Sequence, residues 1–280
     1  MVNETCLVLG GGGVAGIAWM TGLLAGLADA GCDETDADLV NGTSAGSSVA
    51  AQSGSGLSLE VLFARQTDPA LQAREIPASI DLATFGASLR AALEEATSIE
   101  DGGRRIGAFV LAAKTVPEAA RRGAVASRLP SHEWPARRMH FVAVDAVTGA
   151  HRVFDRTSGV PLVDAVTASC AVPGVWPPTT IDGARYIDGG ARSADNADLA
   201  SGFARVVVVS PMGLAAVLPT AYPLRDAVAR LRSEGSEVTV LTPDADSLAA
   251  MGASPLDPST RAPSAHAGRA QGRARPRSVL

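Results

Sequence analysis

Gly42-Thr43-Ser44-Ala45-Gly46 sets a single serine between two glycines. Ahead of it, Ala37-Asp38-Leu39-Val40-Asn41 is short and apolar, as a buried strand requires. Behind it, Ser47-Ser48-Val49-Ala50-Ala51-Gln52 is small enough to open a helix. A serine on a strand-to-helix bend carries its hydroxyl clear of the backbone, and glycines on either side let neighbouring chain come close. The stretch therefore reads as one βα unit with a reactive group at its turn. Small-residue turns match Gly-x-Ser-x-Gly by chance as well, so Ser44 needs partners elsewhere.

The same alternation extends in both directions. Thr5 to Leu9 is an apolar strand running into Gly10-Gly11-Gly12-Gly13, and Val14 to Ala30 continues with helical spacing as far as Gly31, a suitable C-cap. Residues from about Leu57 to Arg128 are mostly helical in pattern, broken by Pro69, Pro77 and Pro117. Arg137 to Asp145 reads as a strand that turns through Val147-Thr148-Gly149-Ala150 into a partner at His151 to Phe154. Pro161 to Ala171 is a short helix with proline in its first turn, and Thr179 to Ile187 a hairpin about Asp182-Gly183. Val206 to Val209 is a strand, Leu224 to Arg232 a helix, Glu237 to Leu241 a final strand, and Asp246 to Met251 one or two helical turns. Such alternation predicts an α/β fold whose mostly parallel sheet is covered on both faces.

At 280 residues, with 46% hydrophobic and 19% charged side chains, the chain can bury a large core. Its net charge of −5 argues against a nucleic-acid partner, which calls for a basic footprint. Cys6, Cys32 and Cys170 are too few and too scattered for a disulfide framework or a zinc site. Met1 to Thr5 lacks the charged start of a secretory signal. The longest apolar run, Val206 to Pro219, is interrupted by Pro211 and Gly213 and reads as a strand plus a loop rather than a membrane span. A cytoplasmic protein is expected. From Ser254 the chain turns rich in Pro, Ala and Arg, with Arg261, Arg269, Arg273, Arg275 and Arg277 against Asp257 alone. Residues 254–280 are therefore expected to form a disordered basic tail behind one domain over 1–253, a tail that either stays solvated or touches an anionic membrane peripherally.

Gly11-Gly12-Gly13-Val14-Ala15-Gly16 also satisfies Gly-x-Gly-x-x-Gly between a strand and a helix, the context of a dinucleotide fingerprint. That use needs an acid at the end of the second strand, where Asn41-Gly42-Thr43-Ser44 stands instead. The other use is an oxyanion site, because backbone N–H groups at a helix N-terminus welcome any anion. A serine nucleophile needs a base. His132, His140, His151 and His266 all fall where a structural or surface role is the simpler reading. Asp188-Gly189-Gly190 follows a strand at Arg185-Tyr186-Ile187, and its glycines leave the carboxylate unobstructed.

In order along the chain, the glycine loop, Gly-x-Ser-x-Gly and Asp-Gly-Gly resemble the patatin-like phospholipase family. The segment Thr167 to Pro178 and the residues Asn196-Ala197-Asp198-Leu199 continue the likeness, which covers about Cys6 to Leu199. The resemblance implies a three-layer α/β/α fold with a helical middle segment. It also implies a Ser-Asp dyad of Ser44 as nucleophile and Asp188 as base, acting on acyl lipids with no cofactor or metal. Gly11, Gly12 and Gly13 would form the oxyanion hole, with Gly12 and Gly13 as donors, while Gly16, Gly42, Gly46, Gly189 and Gly190 are motif glycines. Ala15 departs from the family, many of whose members carry Arg or Lys there; Arg192 is a candidate substitute. Trp19, Trp176 and Val172 to Val175 are candidates for an acyl pocket or for core packing. The alternatives are a nucleotide-binding protein and a family member that binds lipid without catalysis.

Overall fold

Short apolar runs that alternate sides set the central sheet. The computed structural model describes residues 4–78, 82–214 and 220–275. Its strands are β1 (Thr5–Leu9), β2 (Leu39–Thr43), β3 (Arg138–Asp145), β4 (His151–Phe154), β5 (Thr179–Ile181), β6 (Ala184–Asp188), β7 (Arg205–Val209) and β8 (Glu237–Leu241). They lie in the order β5-β6-β3-β2-β1-β7-β8, with β4 paired to β3. The run from β3 to β8 is parallel, whereas β4 and β6 pair antiparallel with β3, and β5 with β6.

The helices are α1 (Gly13–Asp29), α2 (Ala45–Ser53), α3 (Leu59–Thr67), α4 (Leu82–Glu94), α5 (Ile99–Leu111), α6 (Glu118–Arg128), α7 (Leu162–Ser169), α8 (Leu224–Ser233), α9 (Ala245–Met251) and α10 (Arg261–Arg273). Because neighbouring strand residues point to opposite faces, Leu7, Leu9, Val207 and Val209 join a core with residues of α1, α2 and α7. Cys6, Val8, Val206 and Val208 join a second core with Leu224, Ala227 and Leu231 of α8. The result is the expected α/β/α sandwich. The helical middle segment supplies α3 to α6. No described helix is long and apolar enough to cross a membrane. The strand half of the Val206 to Pro219 run is β7; residues 215–219 lie outside the described residues, as do Met1 to Asn3.

The expectation of a disordered tail is overturned for residues 254–275. There α10 lies along α1, and the two helices meet backbone to backbone through glycines. A β-carbon at Gly22 would stand 2.0 Å from the Ala265 carbonyl oxygen, and one at Gly26 2.2 Å from that of Arg269. One at Gly268 would stand 2.3 Å from the Trp19 carbonyl oxygen, and one at Gly272 2.5 Å from that of Leu23. Three of the basic residues form ion pairs with acids of the domain. Arg269 pairs with Asp29 at 2.8 Å and Glu60 at 2.6 Å, Arg273 with Asp29 at 2.7 Å, and Arg261 with Glu75 at 2.5 Å. Gln271 accepts a hydrogen bond from the Trp19 indole at 3.1 Å. Average composition hides this docking, because a helix held by small residues and arginines looks like a tail; the paired Gly-x-x-x-Gly spacings, 22 to 26 and 268 to 272, were the available signal. Arg277, with residues 276–280, lies outside the described residues.

Candidate active site

Register along β3 brings two distant turns together. Thr43 at the end of β2 aligns with Val142, and Asp188 at the end of β6 aligns with Ala143, one residue further on. Gly189 is packed so closely that a β-carbon there would lie 2.5 Å from the Val142 carbonyl oxygen and 3.2 Å from Thr43 Cγ2. Asn196, fully buried, ties the two turns: its Nδ2 donates to Thr43 Oγ1 at 3.1 Å and to the Gly189 carbonyl at 3.2 Å.

Ser44 takes φ 54° and ψ −118° at the head of α2, a region that non-glycine residues avoid. Its surroundings over-determine that geometry. The Ser44 N–H donates to Ser169 Oγ at 3.0 Å, and its carbonyl accepts from Ser47 Oγ at 2.7 Å and from the Cys170 thiol at 3.1 Å. Gly46 must be glycine, since a β-carbon would stand 1.9 Å from the Leu9 carbonyl oxygen. Gly42 likewise abuts the Ser47 backbone at 2.7 Å.

Asp188 is buried. Its Oδ1 accepts from the Gly190 N–H at 2.7 Å, while Oδ2 has no hydrogen-bond partner among the described residues. Burial pushes its carboxyl up to about 6, against the opposing effects of the Ser44 hydroxyl, the Gly190 N–H and Arg121. A carboxylate of that strength is still mostly ionised at neutral pH yet more basic than an exposed one.

The glycine loop leaves β1 and opens α1. Gly11 is committed elsewhere, donating to the Ala194 carbonyl at 2.8 Å, so its N–H is not offered to a substrate. Gly11 thus shapes the loop rather than donating from it. Gly12 and Gly13 show no such backbone bond among the described residues, and Gly13 holds φ 62°. The loop is roofed on two sides. A β-carbon at Gly12 would meet Pro211 at 2.6 Å, and one at Gly13 the Pro255 carbonyl at 2.5 Å. That carbonyl also accepts the Ala15 N–H at 3.1 Å. Little room remains above the loop for a pyrophosphate.

A narrow pocket, partly open to solvent, is lined by Ser44 and Gly13; Val172, Trp176 and Leu256 contribute apolar walls. The sequence profile of the patatin-like phospholipase family matches residues 7–201, well over half of the chain. The chain belongs to the patatin-like phospholipase family. This is a family of hydrolases that act on lipid esters. VipD from Legionella pneumophila is similar in structure, with 14% identity and a TM-score of 0.39 over 81% of this chain and 52% of that one. The type III effector protein ExoU is similar at 16% identity, with a TM-score of 0.38 over 98% of this chain and 54% of that one. The chain thus spans about half the length of each. No curated protein sequence matches it.

Within this patatin-like domain, the remaining candidate side chains take separate places. None of the four histidines lines the pocket; His266 packs edge-on against Phe63 in the α10 interface. Trp19 is core, under α10, whereas Trp176 does line the pocket. Arg192 is neither a surface residue nor a pocket cation. Its guanidinium is buried and paired bidentately with Asp198, at 2.9 and 2.5 Å, with a further bond to Asn196 at 2.7 Å. The cations that do line the pocket, Arg121 and Arg128, come from α6, with Glu75 between Arg128 and Arg261. Although burial opposes its charge, the two arginines hold Glu75 below the usual carboxylate range. The signal was on the page: Arg121, Val125 and Arg128 share the i, i+4, i+7 spacing of a buried helix stripe.

Proposed function

We propose that this chain is a serine lipid acyl hydrolase in which Ser44 is the nucleophile and Asp188 its base. Ser44 Oγ attacks the ester carbonyl carbon as its proton passes to Asp188 Oδ2. The carbonyl oxygen becomes an oxyanion and takes hydrogen bonds from the Gly12 and Gly13 N–H groups, each worth about 3 kcal/mol in the transition state. Collapse expels the alcohol with the proton from Asp188 and leaves an acyl-serine. Water, giving its proton to the same carboxylate, then releases the acid and restores Ser44.

One observation supports this dyad most directly: a buried carboxylate with an open oxygen, raised to about 6, at the strand position adjoining the Ser44 turn. A carboxylate is a weak base for an alcohol, and desolvation is the physical means of strengthening it. The substrate class is an acyl lipid, reached by peripheral contact with a membrane. Phe109 and Leu111, half exposed at the end of α5, are apolar side chains suited to that contact.

Covalent labelling tests the nucleophile. A fluorophosphonate probe should attach to the purified protein at Ser44, and Ser44→Ala should take up none while unfolding at the same temperature. Labelling that persists in Ser44→Ala, or its absence from the folded wild type, removes the serine from this role.

A further inference from the structure

The guanidinium of Arg121 is the least explained charge in the molecule. It is 3% exposed, and its Nε and Nη1 have no hydrogen-bond partner among the described residues. Burying a charge is costly unless hydrogen bonds or an ion pair offset it. Here only a face-on contact with Trp176 is made, 3.9 Å from the guanidinium carbon to the ring centroid. The one carboxylate that lines the same pocket is Glu75, and both of its oxygens already serve Arg128 and Arg261. Asp188 is the other acid whose field reaches Arg121, but its Oδ2 is the oxygen the dyad uses. The pocket wall therefore carries two arginines, Arg121 and Arg128, beside one carboxylate that Arg128 and Arg261 already occupy, and among the described residues Nε and Nη1 of Arg121 meet no acceptor.

We propose that Arg121 is an anion-binding subsite that holds a phosphate or carboxylate carried by the acyl substrate, and so selects acyl lipids with a negative group close to the scissile ester. This assignment deepens the lipid acyl hydrolase reading and rests on it for the word substrate, but the anion site itself exists with or without turnover. The geometry favours a planar, forked donor on a partly desolvated wall, where a charge-assisted bidentate contact is strong. Burial and the neighbouring Arg128 already press the Arg121 guanidinium down to about 10, and a bound anion relieves both effects. Trp176, stacked on the same group, lines with it the pocket that contains Ser44.

The tests use the full chain. A 1-acylglycerol phosphate and a monoacylglycerol of the same acyl chain are compared as substrates. In Arg121→Met, the preference for the anionic substrate in kcat/KM should fall about 30-fold, the loss expected for one charge-assisted contact. Arg121→Lys should recover part of it. If both substrates slow by one common factor and the acid limb of the pH profile moves upward, Arg121 serves to keep Asp188 ionised, and the subsite is overturned. A second measurement needs no Arg121 variant. Hexyl phosphate should change the tryptophan emission of wild type and of Ser44→Ala alike, and Trp176→Phe should lose the change. Binding in Ser44→Ala separates this proposal from the nucleophile assignment. Inorganic phosphate run alongside should bind more weakly; equal binding would assign the site to the free ion and overturn its role in substrate choice. No emission change and no inhibition of ester turnover by hexyl phosphate would also overturn the proposal.

Discussion

Asp188→Asn should yield a folded protein that has lost about 10⁴-fold in ester turnover and is more stable than wild type at neutral pH. Both effects come from one carboxylate. Its folded value is raised to about 6 by burial, well above an unfolded aspartate. Between those values the folded state binds the extra proton, so this group favours the fold below about pH 4 and loses that contribution as pH rises through 6. The shift corresponds to about 3 kcal/mol. Asparagine keeps the Gly190 contact without the buried charge, so the gain should be seen above pH 6 in a urea titration and should vanish near pH 4. Asp195, buried beside Gly10 and pushed up to about 7, has the same sign, so a shallower fall in stability toward pH 7 should survive the substitution. Wild-type kcat/KM should fall on the acid side of pH 6. Undiminished turnover in Asp188→Asn would remove Asp188 as the base.

Gly26→Leu should destabilise the protein by about 3 kcal/mol or more, because the side chain has no direction of relief. Its β-carbon would start 2.2 Å from the carbonyl oxygen of Arg269, a backbone atom of α10. The Trp19 indole, bonded to Gln271, reports the event directly: displacement of α10 should shift its emission toward the red before the sheet unfolds. Gly123→Ala is the contrasting case. Gly123 lies inside α6 with nothing within 4 Å of an added β-carbon, so alanine should stabilise by about 1 kcal/mol. Equal denaturation midpoints for Gly26→Leu and wild type would mean that α10 does not dock on α1.

The parts of this molecule visible in its sequence are those governed by local chemistry. β1, β2 and β7 are apolar runs bounded by glycine or serine turns, and Asp182-Gly183 sets its hairpin whatever surrounds it. Ser44 and Asp188 could be paired only through the family resemblance of their motifs, because the approach of their two turns depends on β3, a strand that carries neither motif. Features created by long-range packing were not visible. Arg121, Arg192 and Arg261 look alike in one dimension, yet one shares a pocket with Ser44 and has no ion-pair partner among the described residues, one is locked to Asp198 and one is bound to Glu75. Arginine is exposed by default, and only its neighbours in space tell where a long stem has carried the charge inward. The bond from the Gly11 N–H to Ala194, far along the chain, was hidden for the same reason.

The dependence of α1 on α10 also sets a clock. Arg269 and Asp29, which join the two helices, are 240 residues apart. During synthesis at roughly 5–20 residues per second, α1 would wait on the order of 10–50 s for its cover. The Pro255 carbonyl that braces the head of α1 at Ala15 arrives in the same late stretch. A nascent chain can thus pair its first strands early and still lack a finished glycine loop. The glycine loop would therefore reach its final form only after the stretch carrying Pro255 and α10 has left the ribosome.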